Sequence, residues 1–164
     1  MKISIQKSDI HGNGIFALQD FEKGCDIFDL KGKLVYFANN NKNDSLSNPD
    51  WVGIGKNLWM EVEKPGLNLN HSCKPNAGIK GEVSIVALQD IKQGEEITID
   101  YSITEEDHFW VMDCHCNASI CRKSIRSIQY LSVETINTYM PFVPDYFQKV
   151  YFECNEDAPI SAMP

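Results

Sequence analysis

Residues 15–27 read IFALQDFEKGCDI and residues 85–97 read IVALQDIKQGEEI, with seven of thirteen positions identical and no gap between the copies. A repeat this short is not a domain, but it is long enough to specify a unit of structure. Each copy opens on apolar, β-prone residues, passes through a polar turn with a glycine (Gly24, Gly94), and returns to an isoleucine. Glycine at such a turn points to a positive φ, which a Cβ would resist. The pattern predicts two related hairpins framing one domain.

The surrounding chain agrees with a mainly β fold. KISI, CDIFDL, KLVYF, NLWMEV, VSIVAL and EEITIDY read as short strands between Lys2 and Tyr101. Residues 38–50, ANNNKNDSLSNPD, carry no periodicity and read as an insertion loop. Beyond the strands the pattern turns helical. Ser132 can cap a helix that aligns Val133, Ile136, Tyr139 and Met140, and Pro141 should end it. A second short helix is expected from Asp145 to Tyr151, followed by a loose tail over residues 153–164.

Charge narrows the partners. The formal net charge is −8, with two arginines among fifteen basic residues. Direct nucleic-acid binding is disfavoured, because phosphates are held by basic surfaces. An acidic surface suits a basic protein or peptide, although it also simply aids solubility. No apolar run approaches the roughly 18 residues of a membrane span. The opening MKISIQKSDIHGNG lacks a secretory h-region, so an intracellular reducing compartment, cytoplasm or nucleus, is expected. A secreted effector using another export route stays open.

Cysteines occur at 25, 73, 114, 116, 121 and 154. Cys114, Cys116 and Cys121 are too close in sequence for unstrained disulfides with one another and read as a metal site. Zinc takes four tetrahedral ligands, and thiolates suit a closed structural site. Cys73 is the nearest fourth candidate, with His115 and Cys154 competing. Cys25, within a strand pattern, reads as a small buried apolar residue.

The strongest local string is NLNHSCKPN, residues 68–76. Alone, it is compatible with a hydrogen-bonded turn. It does not stand alone: Gly12 and Gly14 form a Gly-x-Gly upstream, and Asp100-Tyr101 closes the second repeat downstream. A phosphate-cradling loop is disfavoured, since neither GxGxxG nor the P-loop pattern is present.

GNGIFA, NHSCKPN, GEEITIDY and CHCNASIC occur in the order found in SET-domain protein-lysine methyltransferases with a post-SET zinc segment, and the chain resembles that family over roughly residues 3–123. YLSVETINTY further resembles the tail of small bacterial-type SET proteins. The resemblance implies a SET fold of short curved sheets with knot-like C-terminal threading. It divides the chain into a SET domain (1–104), a post-SET zinc segment (105–124) and a C-terminal helical extension with tail (125–164). It assigns the fourth zinc position to Cys73, beside Cys114, Cys116 and Cys121.

The resemblance also implies S-adenosyl-L-methionine as methyl donor, held by Gly12, Asn13, Gly14, Ile15, Asn70 and His71, with Arg122 covering the adenine. Tyr101 would align a substrate lysine with the donated methyl, and Phe109 and Trp110 would wall the lysine channel or pack beneath the zinc segment. A basic protein, for example a histone tail, would be the substrate. The chain departs from the family pattern at Leu30, Leu67, Asn68 and Asn117. Leu30 and Leu67 motivate an alternative, a catalytically silent SET module that binds a partner peptide.

Overall fold

The computed structural model describes residues 2–36 and 50–155, so nearly all of the expected insertion loop and residues 156–164 of the tail lie outside it. In chain order the strands are β1 (Ile3–Lys7), β2 (Asn13–Ala17), β3 (Asp26–Asp29), β4 (Gly32–Tyr36), β5 (Trp51–Gly55), β6 (Leu58–Val62), β7 (Asn70–His71), β8 (Ala77–Lys80), β9 (Ser84–Ala87), β10 (Glu96–Ile99), β11 (Val111–Asp113) and β12 (Ser124–Arg126). Helices α1 (Val133–Tyr139) and α2 (Asp145–Cys154) follow. The strands form four small sheets, ordered β1-β2-β10-β7, β3-β9-β8, β4-β6-β5 and β11-β12.

The two repeats are not two hairpins. The first strand of each copy pairs with the second strand of the other: β2 lies antiparallel to β10, and β3 to β9. The exchange is reciprocal down to single bonds. The Ala17 amide donates to Glu95 O and the Ala87 amide to Cys25 O, at 2.9 and 3.0 Å. Gly24 N–H donates to Ala87 O and Gly94 N–H to Ala17 O, both at 2.8 Å, and Phe21 and Ile91 exchange both backbone bonds. Lys23 N–H reaches Asp90 and Gln93 N–H reaches Asp20, each at 2.9 Å. Gly24 and Gly94 take φ of +84° and +90°, as the turn reading requires. The hairpin expectation fails because each strand pairs with the other copy rather than with its own. A partner from the other copy satisfies the same backbone groups and buries both apolar faces.

That exchange builds the core. Ile15, Ile85 and Ile97 are fully buried in one cluster with Phe21 and Ile91. Each such side chain contributes about 1.5–3 kcal/mol by leaving water. Ile136 and Tyr139 of α1 and Phe147 and Tyr151 of α2 join the same cluster. Both helices thus pack into the core that the repeats build. Ser132 caps α1, its Oγ accepting from Thr135 N–H at 3.2 Å. The helix stops before Pro141, and Phe142 O then accepts from Ile79 N–H of β8 at 2.8 Å. Helix α2 runs to Cys154, past the expected Tyr151. Cys25 lies just before β3 and is exposed, against the buried role expected of it, because the turn carries it outward.

Candidate active site

The NHSCKPN segment runs through the centre of the molecule. Strand β7 pairs in parallel with β10, Asn70 opposite Thr98 and His71 opposite Ile99. Asn76 fastens the segment's other end by acting as a backbone mimic. Its Oδ1 accepts from Thr98 N–H at 2.9 Å and its Nδ2 donates to Glu96 O at 2.8 Å.

Asn70 is buried and reaches back to the Gly-x-Gly turn. Its Nδ2 donates to His11 O at 3.1 Å, Asn13 O at 3.2 Å and Glu96 Oε1 at 2.7 Å. Both Glu96 carboxylate oxygens also accept from Ser8 Oγ at 2.8 Å. Gly12 takes φ +50° with open space around it. A Cβ on Gly14 would run into the Glu96 carboxylate, which would have to shift from its bonds to Ser8 and Asn70. Residues more than fifty apart in sequence thus form one polar site, with Ile15 fully buried beneath it.

Tyr101 opens the short 3-10 turn Tyr101–Thr104, which Asp100 caps by accepting from Ser102 N–H at 3.1 Å. The Tyr101 hydroxyl donates to Leu69 O at 2.8 Å, and its backbone N–H donates to His71 Nδ1 at 3.1 Å. Burial pushes the phenol up to about 12. It is neutral at physiological pH, and with its proton committed to Leu69 its oxygen is left as an acceptor.

The cysteines converge beside it. Cys73, Cys114 and Cys116 are buried together with Ile125, and Ile10, Tyr101, Trp110, Ala118 and Cys121 pack against them. Cys73 Sγ and Cys121 Sγ each lie 3.6 Å from Cys114 Sγ. Four thiolates around a zinc ion would be separated by about 3.8 Å. Amides point at the sulfurs: Cys73 N–H at Cys116 Sγ and Arg122 N–H at Cys73 Sγ, both at 3.4 Å. Burial pushes the Cys114 thiol well above its usual range. Burial pushes Cys116 the same way, yet the Cys73 and Ala118 amides and the neighbouring thiols bring it down to about 7. Packed sulfurs that resist ionising together are a donor set that a divalent cation would stabilise.

Sequence reasoning missed one donor. His71 Nε2 and the sulfurs of Cys73, Cys114 and Cys116 all lie within 4.8 Å of one another, with Nε2 3.3 Å from Cys73 Sγ. The competing candidates His115 and Cys154 are exposed and stand outside this group, and so does Cys121, whose sulfur meets no other sulfur than that of Cys114 among the described contacts. Burial lowers the His71 pKa to about 4, against the opposing field of Asp100 and helped by Arg122.

The loop bearing these cysteines hangs on the β11–β12 ribbon, and Asn117 within it takes φ +56°. Asparagine is among the few side chains that tolerate this region, which accounts for its presence where the family pattern has glycine. Arg122 Nη2 bonds Asp100 Oδ1 at 2.7 Å; its Nε and Nη1 are buried without a hydrogen-bond partner among the described residues. Tyr139 Oη donates to the other Asp100 oxygen at 2.9 Å. Phe109 is 80% exposed, and Trp110 packs on the cysteine cluster. Leu30 is buried in the core, while Leu67 is exposed.

The SET domain family model matches residues 12–102. The histone-lysine N-methyltransferase trithorax of Drosophila virilis is 30% identical over 136 residues, which cover 74% of this chain and 4% of that protein. Histone-lysine N-methyltransferase 2B of Homo sapiens is 28% identical over 138 residues, covering 74% and 5%. The chain thus spans about a twentieth of the length of these relatives. A solved structure of KRYPTONITE in complex with mCHG DNA and SAH superposes with a TM-score of 0.59 at 18% identity, over 74% of this chain and 28% of that one, and so shares the fold. Four ordered motifs brought into one site, and a family match running from the Gly-x-Gly turn through Tyr101, establish that the chain belongs to the SET-domain family.

Proposed function

We propose that the protein transfers a methyl group from S-adenosyl-L-methionine to the side-chain amine of lysine in a basic protein, a histone tail being the first candidate. The observation that carries this reading is the bonding of Asn70 to the carbonyls on both sides of Gly12. It gathers into one site the residues we assign to the donor: Gly12, Asn13, Gly14, Ile15, Asn70 and the backbone of His71. Arg122 joins them on account of its two buried, unpartnered nitrogens. The donor would supply an electrophilic methyl.

The chain's part is orientation. Lysine attacks as the neutral amine, whose reference pKa of about 10.4 falls in an apolar channel beside a positive charge. Tyr101 is too weak an acid to serve as a base at neutral pH. We assign its hydroxyl oxygen, aimed by the bond to Leu69 O, to accept from the amine and hold it in line. Trp110 forms a wall of the site against the cysteine cluster; Phe109 is the more exposed and is assigned contact with substrate chain at the channel mouth.

We assign one structural zinc to Cys73, Cys114, Cys116 and Cys121. His71 is the fifth donor nearby, but its Nδ1 accepts the Tyr101 amide, so in the neutral ring Nε2 carries the proton and offers no lone pair. The charge of −8 favours basic substrates over nucleic acid. Clustered free thiols suit a reducing compartment such as cytoplasm or nucleus. Among the described residues no helix is long and apolar enough to cross a membrane.

Calorimetric titration with S-adenosyl-L-methionine tests the donor site. The wild type should bind and Asn70→Ala should bind at least about tenfold more weakly, as loss of buried hydrogen bonds implies. No binding by the wild type would overturn the reading in favour of a silent peptide-binding module.

A further inference from the structure

The assignments above leave His71 with a side chain that touches both functional centres. The ring is 5% exposed. One nitrogen faces sulfur, Nε2 at 3.3 Å from Cys73 Sγ, and the other accepts the Tyr101 backbone N–H at 3.1 Å. The rings of His71 and Tyr101 also meet, with centroids 5.3 Å apart at an angle of 60°. Asp100 Oδ1 stands 3.5 Å from Nδ1 but already accepts the shorter bonds from Arg122 and Ser102.

We propose that His71 is a positioning residue that couples the metal centre to the active site: its Nε2–H donates to the Cys73 sulfur while its Nδ1 holds the Tyr101 backbone. The inference rests on the zinc reading of the cysteines and on Tyr101 as the aligning residue. Its physics is that of a neutral imidazole, which has one proton for two nitrogens. A thiolate bound to a cation remains a strong acceptor, so it draws the proton to Nε2. Nδ1 is then obliged to accept, and the only N–H donating to it among the described bonds is that of Tyr101. The Tyr101 amide and the thiolate favour the same tautomer, so filling the metal site reinforces the one that fixes the start of the 3-10 turn bearing the Tyr101 ring. Without a thiolate at Cys73 the ring is free to place its proton on Nδ1, toward Asp100, and the Tyr101 amide loses its acceptor.

The test is a direct observation of the ring. In the 15N-labelled, zinc-loaded full chain, long-range proton–nitrogen correlation should show His71 protonated at Nε2 and bare at Nδ1. A proton on Nδ1 with zinc bound would overturn the inference while leaving the metal reading intact. Failure to bind zinc at all would overturn both.

Two variants separate the halves of the bridge, because the amide of asparagine approximates the Nδ1 position and that of glutamine the Nε2 position. Amide exchange at Tyr101 should stay slow in His71→Asn and become about tenfold faster in His71→Gln. The visible spectrum of the cobalt-substituted protein should shift in His71→Asn and stay near wild type in His71→Gln. Equal behaviour of the two variants in both measurements would contradict the coupling.

Discussion

The hydroxyl of Tyr139 on α1 donates to Asp100 Oδ2 at 2.9 Å, and both residues are buried. Asp100 has zero exposure and immediately precedes Tyr101, so helix α1 is bonded to the residue that caps the Tyr101–Thr104 turn. Arg122, directly after Cys121, also bonds the carboxylate and keeps its own charge firmly, the Asp100 bond outweighing burial. Three parts of the chain meet at one buried anion.

Tyr139→Phe should therefore cost about 1–3 kcal/mol, since it leaves a buried carboxylate one donor short. Chemical denaturation with a two-state fit measures this. A change within about 0.5 kcal/mol would show that the bond contributes nothing net.

A backbone contact gives a second prediction. A Cβ on Gly53 of β5 would run into the Thr104 carbonyl and stand 2.7 Å from Phe147 Cζ, while one on Gly55 would meet nothing within 4 Å. Gly53→Ala should lose about 1–3 kcal/mol by overpacking, and Gly55→Ala should stay within about 0.5 kcal/mol. Thermal melts of the two proteins side by side decide it. Equal melting temperatures would contradict the tight approach of β5 to α2.

How much of this was legible beforehand depends on which forces were local. The repeat and its glycines were readable, because turn chemistry is written in adjacent residues. Which strands the repeats would pair was not, since antiparallel partners from the other copy satisfy Ala17 and Ala87 as well as a hairpin would. Tyr139 was readable as part of an apolar helix face; its hydroxyl bond to Asp100, thirty-nine residues away, follows only from packing. Arg122 was expected to touch the donor alone, and the Asp100 bond was missed for the same reason. His71 was expected to hold the donor, and the contact of its ring with Cys73 follows only from packing.

Zinc content tests the thiolate set. Cys73→Ser, Cys114→Ser, Cys116→Ser and Cys121→Ser should each lose stoichiometric zinc and melt at lower temperature, as ligand loss removes folding free energy. Cys25→Ser and Cys154→Ser, both exposed, should keep it. Metal analysis after desalting reads the outcome directly. Undiminished zinc affinity in Cys121→Ser would hand the fourth position to His71.

The Tyr101 phenol gives a pH prediction. Folding raises its pKa from about 10 to about 12 through burial, so the neutral form stabilises the fold. That contribution is complete below pH 10 and is lost as pH rises through about 12. Between pH 7 and 10 the phenol does not titrate, and any rise in methyl-transfer rate reports the lysine amine. Wild type and Tyr101→Phe should give parallel pH–rate profiles over this range. A break present only in wild type would show that Tyr101 ionises during catalysis.

The most direct test of the account is mass spectrometry of basic proteins, core histones among them, after incubation with the zinc-loaded chain and isotope-labelled S-adenosyl-L-methionine. The account predicts label on a lysine side chain, formed about a hundredfold more slowly or worse by Tyr101→Phe. Label on no lysine, or equal labelling by wild type and Tyr101→Phe, would contradict it.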